Sequence, residues 1–410
     1  MPRFSRVPAV RTEPEPRTAN RVALITLRED GGFTLPLIGG RSLPERQVGI
    51  ARDLGCTDIV ILSRQHSAEA SAVRHLAEKL GCRCRHATSV HGLLGLAETE
   101  ATLIVIQPGL LAQHAPTLQR LRDDMAGVLT IRAGSHGDTG WERLDAASAS
   151  AGLFALPSHL VQNLQQLPAD ADPFASLLRI ALQAGVNRLQ MSEEVVETAS
   201  WTLIADDERG RGVARDWLSD ALRTSSFAGP TRSLASRLVF RLGQSPRDWT
   251  SMERSAALLA AIVMVVALYV GLQEAAWAGL LLLAVAALPL ELSLAMDTVR
   301  ALRPRRPFWH GAVRFLPVLA AAVIGFHSID GLPWREVFPP AVFLLALIAL
   351  DRRRGAAWAR WLTDRGVVTL ALGGLAFAAG VEPAFMLVCL ALMMPLAIAN
   401  ADNAGLTKDS

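Results

Sequence analysis

Charge, cysteine and a leading apolar segment are what this sequence is short of. Only 19% of its 410 residues are charged, 51% are hydrophobic, and its mean hydropathy is +0.28. That balance excludes a purely soluble protein and a disordered one. Four cysteines, Cys56, Cys82, Cys84 and Cys389, are too few to staple a chain of this length. They exclude a disulfide scaffold and fit a reducing, cytosolic setting for the N-terminal half. The first nineteen residues, rich in proline and arginine, hold no apolar run, so they read as a disordered tail and not as a secretory signal. A net charge of +3 is too small to imply a nucleic-acid partner.

What is present divides unevenly along the chain. Up to about residue 250 charges, turn residues and short apolar runs alternate, whereas 255–399 is mostly alanine, leucine and valine with arginines in the gaps. A membrane helix needs about 20 mainly apolar residues. Segments 255–272 and 275–296 meet this easily, and 309–326, 337–350, 367–381 and 384–399 meet it only by borrowing flanking residues. The expectation is an all-α polytopic membrane domain of six helices, with four or five crossings as the alternative. The approach to the first helix and the second and fourth gaps carry fifteen arginines between them, and the remaining gaps carry only Arg335. Because positive residues stay on the cytoplasmic side, both termini are expected there, in a bacterial inner membrane. Topology and headgroup contact account for these arginines more simply than binding of a phosphorylated substrate.

The N-terminal half alternates short β-rich runs with amphipathic stretches. RVALITL, DIVILS, TLIVIQ, GVLTIR and GLFALP read as strands, and LPERQVGIARDLG and 68–80 as helices. This predicts an α/β domain with a mostly parallel sheet, whose ligands bind beyond the C-terminal strand ends. The first such end is Leu27-Arg28-Glu29-Asp30-Gly31-Gly32-Phe33.

The stretch ALITLREDGGFTLPLIGGRSLPERQVGIARDLGCTDIVILS resembles the opening of sugar-nucleotide and MobA-like nucleotidyltransferases, with Gly39, Gly40, Leu43, Glu45 and Arg46 in the segment leading to the next helix. The resemblance runs over residues 20–222. It implies a GT-A, Rossmann-like domain, a nucleotide held by Arg28, Gly31 and Gly32, and a magnesium ion if the site is active. The same resemblance marks what is missing. Where the family's loop carries an arginine and a lysine this chain has Phe33, Thr34 and Leu35, and its two lysines, Lys79 and Lys408, are elsewhere. Where metal-binding aspartates are expected it has Gln107-Pro108-Gly109 and Trp201–Ala205, with Asp206 and Asp207 arriving late. Nucleotidyl transfer needs those charges to neutralise the triphosphate. Arg28, Asp30, Asp206 and Asp207 either form a shifted site or serve as loop and helix-cap residues.

Two further constellations favour bland readings. Cys82, Cys84, His86 and His91 lack the second ligand pair of a zinc pattern. Ser135, His136 and Asp138 share one loop, whereas triad members come from separate elements.

An N-terminal nucleotidyltransferase-like domain followed by membrane helices resembles the bifunctional cytidylyltransferase/CDP-alcohol phosphotransferases of inositol-phospholipid synthesis. Their membrane half carries D-G-x2-A-R-x8-G-x3-D-x3-D, whose aspartates hold two metal ions. In that frame Asp297, Ala301 and Gly311 match, while Thr298, Leu302, Phe315 and Leu319 replace the other positions. Glu291 and Asp297 are the residues left to hold a metal, and hard cations want several oxygen ligands. The vestigial motif implies a protein eroded at both active sites that regulates or assembles with an intact lipid-synthesis enzyme. Its partners would be the bilayer, a nucleotide or CDP-alcohol, and a second membrane protein or copy of itself. The small-residue face of Gly373, Gly374, Ala376 and Ala378 permits close helix pairing. The rivals are a working transferase with relocated ligands and a transporter, although the broken helices and inverted repeat that favour transport are lacking.

Overall fold

The computed structural model describes residues 20–28, 37–97, 100–124, 126–134, 140–168, 170–192, 194–195, 201–223, 229–242, 249–273, 275–302, 307–329, 333–352 and 359–406. The tail 1–19 and the loop holding Asp30, Gly31 and Gly32 lie outside them, as do Ser135, His136 and Asp138. The chain forms two units, Met1–Leu35 with Leu43–Arg209, and Pro36–Ser42 with Gly210–Ser410.

In the first unit, strands with continuous apolar sequence become fully buried central strands, the pattern of a sheet covered on both faces. β1 (Asn20–Thr26), β2 (Asp58–Leu62), β3 (Arg83–Ala87) and β4 (Ala101–Ile106) pair in parallel in the order β3-β2-β1-β4. β2 and β4 bury every residue. The short β5 (Leu110–Ala112) lies outside this sheet. β7 (Ser148–Pro157) adds antiparallel to β4, followed by β6 (Gly127–Arg132) and β8 (Arg188–Gln190). β9 (Trp201–Leu203) pairs with β5 in a separate two-stranded sheet. Helices α1 (Leu43–Asp53), α2 (Ala68–Lys79), α3 (Ala115–Asp123) and α4 (Pro173–Gln183) complete the unit. Sequence sets their starts: Ser67 accepts from Ala70 N, and Asp172 from Phe174 N and Ala175 N. An α/β unit with a mostly parallel sheet is thus as the strand–helix alternation predicts.

The second unit is helical: α5 (Asp207–Arg223, which straddles the boundary), α6 (Pro230–Leu242), α7 (Trp249–Leu272), α8 (Ala276–Arg300), α9 (Pro307–Arg314), α10 (Leu316–Ser328), α11 (Pro333–Arg352), α12 (Arg365–Ala379) and α13 (Val381–Leu406). Among the described residues two helices, α7 and α8, are long and apolar enough to cross a membrane; the apolar stretches Leu316–Ser328, Arg365–Ala379 and Val381–Met394 are shorter. The expected third span is two helices, broken at Phe315 ahead of Pro317, which has no N–H to continue the ladder.

Packing within this unit relies on absent side chains. A Cβ on Gly279 would fall 2.5 Å from Gly271 Cα and 2.6 Å from Ala267 O, so α7 and α8 meet backbone to backbone. Gly373 does the same for α12, 2.8 Å from Leu281. Of the small-residue face expected to pair with a partner, Gly373 and Ala376 are buried inside the unit, while Gly374 and Ala378 point outward. The α7–α8, α10–α11 and α12–α13 turns gather at one end: Trp277 meets Phe377 edge-on at 5.0 Å, Gly271 abuts Ile324 and Gly325 abuts Phe385. That end carries exposed Tyr269, Trp277, Phe326, Trp334, Phe338 and Phe377.

Candidate binding sites in the two units

In the first unit the strand order reverses between β1 and β4, and such a switch opens a crevice beyond the strand ends. The crevice is there, about 920 Å³ in volume, walled by Arg28 after β1, Ser63 and Arg64 after β2, and Gln107 after β4. Its size falls within the roughly 300–1,000 Å³ of sites that enclose a small molecule. Its charge suits a triphosphate poorly, because Glu69, Glu142, Asp170 and Asp172 line it against two guanidiniums. Arg28 is brought to the segment that precedes Asp206 and Asp207, as a shifted site requires. Its Nη1, however, donates to the carbonyls of Ala205 at 3.0 Å and Ile204 at 3.3 Å. Asp206 accepts from Arg209 N at 2.7 Å, the helix-cap role.

The cysteine–histidine constellation disperses. Cys82 Sγ faces the Cys56 carbonyl at 3.7 Å, His86 Nε2 lies 2.7 Å from Ser63 Oγ, and His91 Nε2 lies 3.0 Å from the Leu167 carbonyl. Burial pushes the Cys56 thiol up to about 12 and the Cys84 thiol up to about 11, so neither offers a ready thiolate.

The second unit holds a smaller cavity of about 120 Å³ at the end opposite most of the exposed aromatic side chains. Three arginines converge on it: Arg232 from the first turn of α6, Arg314 from the end of α9, and Arg365 from the start of α12. Each comes from a different one of the three arginine-rich gaps in the sequence. Their acids are already engaged. Arg314 Nε pairs with Glu291 at 2.9 Å and Arg365 Nη2 with Asp351 at 3.2 Å. Asp364 caps α12 through Val367 N at 3.1 Å and accepts from Thr231 N at 2.8 Å and Thr231 Oγ1 at 2.6 Å. Gly229 and Gly366 are what let these chains close, since a Cβ on either would overlap Asp364 or Thr231.

Arg232 is left with no hydrogen bond or ion pair among the described residues. Burial pulls its guanidinium down to about 10, and Arg314 and Arg365 push the same way against Glu291 and Asp351. It is still cationic at neutral pH. Arg365 sits over the Phe315 ring at 4.6 Å, and its buried Nε has no partner. The cavity therefore sets three guanidiniums against three carboxylates, balanced in formal charge, while Arg232 and the Arg365 Nε keep N–H donors of the kind that bind an anion.

Asp297 and Glu291, the carboxylates of the vestigial motif, do not come together on a metal. Asp297 Oδ2 meets His310 Nε2 at 3.0 Å, Glu291 holds Arg314, and Arg300 nearby pairs with Glu253. Gly311 lines the arginine cavity, whereas Ala301 caps α8 with its N–H on the Asp297 carbonyl at 2.9 Å. No group of three His, Cys, Asp or Glu side chains forms among the described residues of either unit. The described residues thus do not supply the set of oxygen ligands that the magnesium ion implied by the resemblances wants. Sequence reasoning missed the convergence of Arg232, Arg314 and Arg365; the one available signal was that every arginine-rich gap abuts the same side of the helices.

No protein-family model and no curated protein matches the chain. Solved structures similar to it include a 4-diphosphocytidyl-2C-methyl-D-erythritol synthase, 16% identical over 48% of this chain and 97% of that one, with a TM-score of 0.35. A synthase of the same description from Anaerococcus prevotii DSM 20548 is 12% identical over 48% and 95%, with a TM-score of 0.34. A UDP-glucose pyrophosphorylase complexed with UDP-glucose is 12% identical over 42% and 91%, with a TM-score of 0.29.

Proposed function

We propose that this chain is a multi-pass membrane protein of phospholipid-headgroup chemistry that binds a phosphate group at its cytoplasmic face. In this reading it acts as a regulatory or assembly partner and does not itself turn over nucleotide. The observation that carries this is the cavity of the second unit, where Arg232, Arg314 and Arg365 converge while every acid beside them is already paired. Arginine forks match phosphate oxygens, and this supports a phosphate ligand at a place where the described residues form no metal-ligand cluster. The membrane setting is supported by α7 and α8 and by the exposed Tyr269, Trp277, Phe326, Trp334, Phe338 and Phe377 at the far end from the arginines, with Trp361 exposed at the arginine end, as aromatic belts lie at both membrane interfaces. The loss of nucleotidyl transfer is supported by Gln107 at the end of β4, by the acid-rich crevice, and by the absence of any lysine near it.

The test uses the purified full-length protein. With magnesium, CTP and an inositol or sugar phosphate it releases no pyrophosphate, whereas inorganic phosphate raises its melting temperature and Arg365→Gln diminishes that rise. Steady pyrophosphate release overturns the partner reading. A second reading, an active divergent transferase, is favoured by the nucleotide-sized crevice of the first unit. It requires Asp297→Ala to abolish a lipid product in cells, and the partner reading requires the lipid profile to survive that substitution.

A further inference from the structure

Size and wall chemistry decide what the phosphate in the arginine cavity is attached to. At about 120 Å³ the cavity is far below the roughly 300–1,000 Å³ of sites that enclose a whole small molecule. It has room for a phosphate group but not for a sugar ring or a nucleoside beside it, so the rest of the ligand lies outside.

The polar groups of the cavity narrow the choice again. Satisfying the hydroxyl protons of a sugar or cyclitol takes hydrogen-bond acceptors. Glu291 and Asp351 are committed to arginines, and Asp364 is committed to Thr231 and the α12 N-terminus. The Thr231 hydroxyl is itself used on Asp364. What the cavity still offers is cationic N–H.

The remaining wall is apolar. Ala287 and Leu290 of α8 and Pro317 of α10 contribute it. Next to Pro317 along α10, Leu316 and Leu319 are 41% and 51% exposed. The helix that closes the cavity therefore turns an apolar surface outward beside it, where acyl chains lie in a membrane.

Resting on the phosphate-site reading, we infer that the ligand is a lipid phosphomonoester, an acylated body ending in a bare phosphate with no sugar or nucleotide on it, held by guanidiniums without a metal ion. The shared chemistry is a phosphate dianion; the lipid source is set by the small cavity and its apolar wall.

Full-length protein in detergent and EDTA is titrated with dioctanoyl phosphatidate, glycerol 3-phosphate, inositol 1-phosphate and inorganic phosphate. Phosphatidate is expected to bind at least about tenfold more tightly than any soluble phosphate, the difference a partly buried acyl body makes. Arg232→Gln is expected to weaken it about tenfold, the loss typical of one charge-assisted contact. Because Arg232 has no partner among the described residues, that variant keeps the wild-type elution and melting profile. Soluble phosphates that bind as tightly as phosphatidate, with Arg232→Gln weakening all alike, overturn the lipid inference and leave the phosphate site standing. Absence of binding by every probe, or indifference to Arg232→Gln, overturns both.

Discussion

Single residues in this protein are set by what their neighbours have already taken. Asp364 is only 7% exposed and spends its carboxylate on a helix N-terminus and on Thr231, which leaves Arg365 to Asp351 and the cavity. Removing such a buried, charged acceptor costs about 1.5–3 kcal/mol, so Asp364→Ala is expected to lower the melting temperature in detergent clearly, and Thr231→Val less. Cysteines behave by the same logic of burial. The Cys56 thiol is raised from 9.0 to about 12 by burial. A thiol whose folded value exceeds its unfolded one contributes stability that is whole below the unfolded value and is lost as pH climbs toward the folded one. The first unit is therefore expected to lose stability from pH 9 toward pH 12. Denaturant titrations across that range should show a shallower loss in Cys56→Ala, and equal slopes would contradict the assignment.

Elements are fitted together by omission. Gly279 and Gly373 sit where any side chain meets backbone or a packed leucine, whereas Gly374, one position on, has nothing within 4 Å of a Cβ. Gly279→Val is expected to separate α7 from α8 and lose the folded protein on detergent gel filtration, while Gly374→Val elutes unchanged. A glycine pair reads the same in sequence whether it faces a helix of its own chain or lies outward. Gly373-Gly374 is a case in which adjacent, identical residues have opposite surroundings. The strands were more legible: β2 and β4 are continuous apolar runs because both faces of the sheet are covered, and a buried parallel strand needs no alternation. The third apolar run misled at its start, because Pro317 ends one helix at Phe315 and begins another.

For the whole molecule, a charge-poor C-terminal half and a charge-rich N-terminal half correspond to a helical unit and an α/β unit. If the helical unit is embedded as proposed, the protein stays with the membrane through alkaline carbonate extraction. A cysteine placed in the gap at 353–358 then reacts with a membrane-impermeant maleimide only after cells are opened. Release into the soluble fraction, or labelling of intact cells, would contradict the topology.

The sequence by itself determined the two-part division, the strands β1, β2, β4, β6 and β7 and the helices α1 and α2 of the first unit, and the shortage of lysines and acids where nucleotidyl transfer would need them. These follow from local composition and period, which a linear reading registers directly. Only the tertiary structure decided that Glu291 and Asp297 take separate partners, that Arg28 reaches Ala205, and that Arg232, Arg314 and Arg365 meet around one small cavity. Each of those outcomes joins residues from different elements. Charge in a sequence has a sign but no neighbour until the helices carrying it are packed, and the neighbour determines whether an arginine marks a membrane side or holds a ligand.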